Sequence, residues 1–310
     1  MSKNILVFEN IVFEYLINKN VIEMNKCFQE FCDDAENFVG TENAFYNFAI
    51  NYAKIDDYPS ACKILEIALN KHPESMYLRA LYLRIGVEAG KKEREQCKEI
   101  LNQINEYPKQ HWSKQMFTYV IEYFRLLIES GIDEETRKKY IFEKDKLIDE
   151  FCNHYPKNES SYLIKSDKYK RHSDLENEIC LLIKSIENTE VCIWSAIRLS
   201  EIFYTQRKFQ DAITLINKYC KYCAIMEEER NHEAYSYYLS AMCKSALLLD
   251  NSENVEDENI QKEKAKKIYK EFDIALKLKT GLPAYAKNNA IKQISMIEVL
   301  TDTTSGLNIE

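Results

Sequence analysis

The sequence predicts an all-α protein built from antiparallel helix pairs, and three observations carry that expectation. Glycine and proline number only 6 and 5 in 310 residues, against average usage of roughly 7% and 5%. Both residues punctuate turns and strands, so their scarcity favours long helices joined by short polar connections. Apolar residues recur at three- and four-residue spacing through most of the chain, which is the stripe an amphipathic helix buries. A block of about 34 residues then recurs along the chain, the mark of stacked supersecondary units.

Taken in order, residues 1–40 read as an atypical N-terminal helix pair. A terminal unit meets a neighbour on one side only, so its pattern departs from the rest. Residues 42–75, ENAFYNFAINYAKIDDYPSACKILEIALNKHPES, are the best copy of the block. Phe45, Phe48, Ala49 and Tyr52 fall on one stripe of a first helix, and Ala61, Leu65 and Ala68 on one stripe of a second. Small residues let the two helices approach while large ones fill the gaps. Asp57 stands at an N-cap, Pro59 in the first turn where its missing N–H costs little, and Pro73 closes the pair. A weaker copy spans 193–222 through Leu199, Phe203, Ala212, Ile216 and Tyr219, with Ser200 at the small site.

Between these copies only periodicity remains. Leu78, Leu81, Tyr82 and Ile85 pair with Cys97, Leu101 and Ile104. Helical patterns cover 112–131 and 134–155, the second ending at Tyr155-Pro156 as the best copy ends at His72-Pro73. The acidic stretch 250–261, DNSENVEDENIQ, reads as a loop. A capping helix runs over about 283–300 with Ile291, Ile294 and Met296 as its apolar contacts, and 301–310 reads as a flexible tail.

The residues at Phe45, Phe48, Ala49, Tyr52, Ala61, Leu65 and Pro73 stand at the spacings of the tetratricopeptide repeat, which the chain therefore resembles. The resemblance implies one right-handed superhelical solenoid over 1–300, of about seven antiparallel helix pairs plus the C-terminal capping helix. It also implies that the first helix of each pair lines a concave wall that holds a peptide or a partner's helix. The wall positions are Asn43, Asn47, Ile50 and Lys54 in the best copy, and Trp194, Arg198, Glu201 and Thr205 in the second. In the pair after that they are Glu233, Tyr237, Ser240 and Lys244. Asn47 and Asn289 stand in similar settings, where in receptors of this family an Asn amide often holds the ligand's backbone.

Composition narrows the function. A formal net charge of −8 and a pI near 5.4 repel phosphate backbones, so nucleic acid is not the expected partner. No apolar run approaches the roughly 18 residues that would span a bilayer. The ten cysteines are scattered at helix-periodic positions like buried free thiols, which fits a reducing cytoplasm.

Catalytic signatures fail on spacing. Gly86 to Lys92 is one residue short of a phosphate-binding loop and reads as a helix end, and His232-Glu233 lacks the second histidine of a zinc-protease helix. Cys220 and Cys223 have the spacing of a metal pair, but no second such pair exists to complete a zinc site. The expectation is a non-catalytic adaptor or scaffold that holds another protein, with no cofactor and no metal. The alternative is a regulatory receptor for a short peptide or small molecule, similar to the tetratricopeptide pheromone sensors.

Overall fold

In the computed structural model, residues 3–223, 232–250, 258–278 and 281–301 are described. They form an all-α chain of fifteen helices in two compact units that divide between Tyr155 and Pro156.

The first unit holds four helix pairs: α1 (Ile5–Ile17) with α2 (Val21–Asp33), α3 (Glu42–Ala53) with α4 (Tyr58–Lys71), α5 (Met76–Ala89) with α6 (Lys91–Glu106), and α7 (Lys114–Glu129) with α8 (Glu134–His154). A two-residue parallel bridge joins β1 (Lys3–Asn4) to β2 (Phe38–Val39). Side-chain caps start the helices, at Asp57 as the sequence suggests and also at Thr41 and Ser75. Asp57 accepts from the Ser60 amide, Thr41 from Ala44 and Ser75 from Leu78, each satisfying an amide the first turn would leave orphaned.

All seven stripe residues of the 42–75 block are fully buried. Phe48 meets Phe8, Phe31 and Tyr52 edge to face, and the Tyr52 hydroxyl donates to the Met24 carbonyl at 2.6 Å. The block is thereby locked onto the N-terminal pair. The last pair of the unit closes on Phe117 stacked on Phe151, with Trp112 against them. His72 and Tyr155 end their helices with nearly the same backbone, φ −127° and −126°, because a following proline excludes the helical region.

One turn recurs in both units. Lys19, Asp56, Ser173 and Arg207 all have φ of 55° to 60°, and each stands just after the first helix of a pair. In each case the next amide bonds back to the carbonyl of an aromatic residue: Tyr15, Tyr52, Tyr169 or Phe203. This is a Schellman closure with a non-glycine residue in the left-handed position. The N-terminal pair, atypical in sequence, therefore turns as the best copy does.

Gly86 lies inside α5, where alanine would ordinarily be favoured by about 1 kcal/mol. A Cβ there would stand 2.6 Å from the buried Cys97 sulfur on α6. Gly86→Ala is therefore expected to destabilise by about 1 to 3 kcal/mol through overpacking. Denaturant unfolding checks it, and Cys97→Ala in the same chain should recover most of the loss; a stabilised single variant would contradict the close packing.

The second unit holds α9 (Glu159–Arg171) with α10 (Leu175–Asn188), α11 (Ile193–Thr205) with α12 (Phe209–Cys223), α13 (Glu233–Asp250) with α14 (Glu258–Lys277), and the single helix α15 (Ala284–Thr301). Leu199, Ala212 and Ile216 are buried as the weaker copy suggests, while Phe203 and Tyr219 are half-buried. Ser200 occupies the small site and turns its hydroxyl back to the Ala196 carbonyl at 2.7 Å.

Two details depart from the sequence reading. Helix α14 begins at Glu258, so the acidic stretch is helical over its last four residues; 251–257 lie outside the described residues, as do 302–310. Met296 is 46% exposed, and the buried stripe of α15 is Ala286, Ala290, Ile294 and Ile297. The stripe includes alanines because α15 packs closely against α13 and α14. Cys220 and Cys223 stand at the end of α12, and their side chains lie outside the described residues.

Candidate functional site

In the second unit α11 packs along α9 and α13, and α13 along α15. A groove of about 640 Å³ runs between these first helices of the pairs. Its floor is apolar, from Leu163 and Ile164 of α9 and Ile197 of α11, and its rim carries Asp167, Trp194, Arg198, Glu201, Tyr235 and Tyr285. Three sequence-predicted wall residues, Trp194, Arg198 and Glu201, thus share one groove. Their spacing of four and three keeps them on one face of α11, while Ser195, Ala196, Leu199 and Ser200 on the opposite face are buried.

Arg198 is held from two sides. Its Nε donates to Glu178 Oε1 at 2.8 Å, and Nη1 donates to Asp167. Burial works against its charge, but the bonds to Asp167 and Glu178 outweigh burial and raise its pKa. Glu201 accepts from the Tyr235 hydroxyl at 2.5 Å, and Tyr235 in turn accepts from Tyr285 at 3.1 Å. Burial first, then the Glu201 contact, pushes the Tyr235 phenol well above its ordinary value, so it remains a donor.

The chain has two tryptophans, and the contrast between them is informative. Trp112 is 2% exposed and Trp194 is 45% exposed. Trp194 leans on the imidazole of His232, which is itself buried. Burial lowers the His232 pKa to about 4. In the unfolded chain histidine titrates near 6.5, so as pH falls from about 6.5 to 4 the unfolded state takes up a proton that the folded state refuses. Stability should fall across that window and be unaffected by this group above it. Thermal unfolding from pH 8 to 4 checks this against His232→Gln, which should flatten that part of the profile; an unchanged profile would remove His232 as its cause.

The other wall positions lie elsewhere. On α13 the groove receives Tyr235 and not Tyr237, although both are half-buried and both pack against the core shared with α14 and α15. Ser240 and Lys244 both bond Glu271 of α14, and Glu233 is half-buried at the start of α13. Lys244 belongs to a second groove of about 670 Å³ on the α12, α13 and α14 side, with Leu247, Ile268 and three further lysines. The sequence reading of α13 was thus turned round the helix, because Tyr235, Tyr237 and Tyr238 give three possible stripes and only packing selects one. Thr205 is exposed, and Asn289 sits at 3.5 Å from the Tyr238 hydroxyl.

In the first unit Asn43, Asn47 and Lys54 line no part of this groove, and neither does the half-buried Ile50. Lys54 reaches over the Phe13 ring of α1. Between these positions Tyr46 stacks on Tyr77 of α5 at 4.7 Å and hydrogen-bonds Tyr119 of α7. The repeat pattern points to none of the three tyrosines, since Tyr46 falls between its consensus positions. Their pairing follows from the stacking of α3, α5 and α7.

Among the described residues no group of three or more His, Cys, Asp or Glu side chains could hold a metal ion. Cys97 and Cys243 are raised to about 12 by burial, so their thiols remain protonated and unreactive at neutral pH.

No family model matches the chain, and no curated protein does. Solved structures do. A thermophilic tetratricopeptide repeat protein of Thermus thermophilus is similar at 15% identity over 63% of this chain and 98% of that one, with a TM-score of 0.44. The human IFIT1 dimer with m7Gppp-AAAA is similar at 11% identity over 95% of this chain and 64% of that one, TM-score 0.46. The TPR2AB domain of yeast Sti1 in complex with pHSP90 is similar at 14% identity over 96% and 97%, TM-score 0.29. With its stripe of Phe45, Phe48, Ala49 and Tyr52 packed on Ala61, Leu65 and Ala68, the chain has a tetratricopeptide-like all-α fold.

Proposed function

We propose that the chain is a non-catalytic, protein-binding scaffold that holds an extended segment of a partner protein in the groove along α9, α11, α13 and the start of α15. One observation carries the reading: Trp194 and Tyr285 are 45% and 58% exposed on the rim of a groove of about 640 Å³ with an apolar floor. Aromatic anchors at the edge of an apolar cleft are the usual centres of binding energy. Among the described residues no helix is long and apolar enough to cross a membrane. The described cysteines are free, which supports an adaptor working in a reducing cytoplasm.

The test is capture from native lysate with the intact chain and with Trp194→Ala side by side, followed by affinity measurement on the recovered partner. Trp194→Ala should weaken binding by at least about thirtyfold while changing stability by about 1 kcal/mol or less, as a largely exposed side chain does. Equal capture by both proteins, or a loss of about 3 to 5 kcal/mol of stability as for a core tryptophan, would overturn the assignment of this groove.

A further inference from the structure

We propose that the groove recognises a cationic side chain, an arginine or lysine of the bound segment, seated among Trp194, Tyr235 and Tyr285 with its charge on Glu201. This rests on the reading of the groove as a peptide site and names the chemistry of its occupant.

Charge decides the sign. Arg198 contributes the one cation among the described residues of the groove's rim, and it is already matched by Asp167 and by the buried Glu178 behind it. A bound carboxylate or phosphate would find Nε and Nη1 engaged and Nη2, which holds no hydrogen bond among the described residues, buried. Glu201 is different: among the described residues no lysine or arginine pairs with it, and its hydrogen bond comes from the neutral Tyr235 hydroxyl to Oε1. Its Oε2 accepts nothing from the described residues, so it can take an N–H from a ligand.

The aromatic rings supply the second half of the site. The Tyr285 hydroxyl donates to Tyr235 and Tyr235 donates to Glu201, so both rings are held beside the carboxylate. Trp194 stands one turn before Arg198 on the same face of α11 and is exposed at the rim. Indole and phenol faces attract a cation within about 6 Å of the ring centre, most strongly where it is partly desolvated. A carboxylate held against the Tyr235 ring, with Tyr285 bonded next to it and Trp194 two turns back on the same face of α11, favours guanidinium or ammonium over a neutral side chain, and the acidic balance of the whole chain, −8, favours a basic segment at longer range.

The probe is a displayed library of random linear peptides selected on the intact chain, with Trp194→Ala as the counter-selection. Peptides that need Trp194 should be enriched in arginine or lysine at one position. Citrulline or glutamine in place of that residue should weaken binding about tenfold, and Glu201→Gln should weaken the basic peptide about tenfold while leaving the citrulline peptide unchanged. Circular dichroism and thermal unfolding of Glu201→Gln confirm that the variant is folded. Should Glu201→Gln unfold, Tyr285→Leu, which removes the ring, replaces it with the same peptide pair, and a selective loss for the basic peptide is again expected. Peptides that need Trp194 but show no basic position, or bind Glu201→Gln equally, overturn the cation site and leave the peptide groove standing. A library yielding no peptide that depends on Trp194 overturns both.

Discussion

Phe48→Ala is expected to cost the first unit about 3 to 5 kcal/mol. The ring is fully buried and meets Phe8 of α1, Phe31 of α2 and Tyr52 of its own helix at centroid distances of 5.8, 5.0 and 5.4 Å. Truncation removes both its transfer free energy and the edge-to-face contacts, and leaves a cavity among three helices. Folded domains hold only about 5 to 15 kcal/mol in reserve, so the variant should show a large drop in denaturant midpoint. Phe48→Leu, which keeps much of the volume, should lose clearly less. A loss below about 1 kcal/mol for Phe48→Ala would mean that α3 does not seat against the N-terminal pair in this register.

Arg198→Ala is the second large effect, although the sequence places Arg198 on the binding wall. The guanidinium is 18% exposed and the Glu178 side chain 6%, so truncation strands a buried carboxylate on α10. Breaking such a pair by removing one partner costs about 3 to 5 kcal/mol, whereas replacing both by apolar residues of similar volume is often near neutral. Arg198→Ala should therefore unfold the second unit much earlier in denaturant, and Arg198→Met with Glu178→Met should recover most of the loss. The exposed Asp167, at 52%, adds little, since a surface ion pair is worth about 0 to 1 kcal/mol. If Arg198→Ala and the double variant are equally unstable, the bridge between α10 and α11 is not what Arg198 provides.

The helices, their pairing and the core of the best repeat were legible in the sequence because those features depend on local spacing. The stripe of α3 and α4, the Asp57 cap, the Pro59 first turn and the closing prolines are all set by residues within a few turns of one another. On α11 the four- and three-residue spacing that groups Trp194, Arg198 and Glu201 off the stripe of Leu199 and Phe203 is also local, and the three line one groove. Helix α13 offered no such contrast. Its run EAYSYYLSAMCKSA mixes tyrosines and small residues round the whole helix, so periodicity alone cannot say that Tyr235 and not Tyr237 lines the groove.

By itself, the sequence determined that this chain is helical, that its helices pair, and which residues of the 42–75 block are core. Capping, proline placement and period-3.6 burial are local rules that need no knowledge of neighbours. Only the tertiary structure decided what the polar and aromatic residues do. Arg198 becomes a structural bridge because α9 and α10 bring Asp167 and Glu178 to it. Tyr46, Tyr77 and Tyr119 meet because three first helices stack, and Glu201 acquires its partner Tyr235 from 34 positions away, with Tyr285 bonded to Tyr235 from a further 50. Such contacts join residues far apart in the chain, and their energies depend on burial and distance, quantities that exist only once the helices have packed.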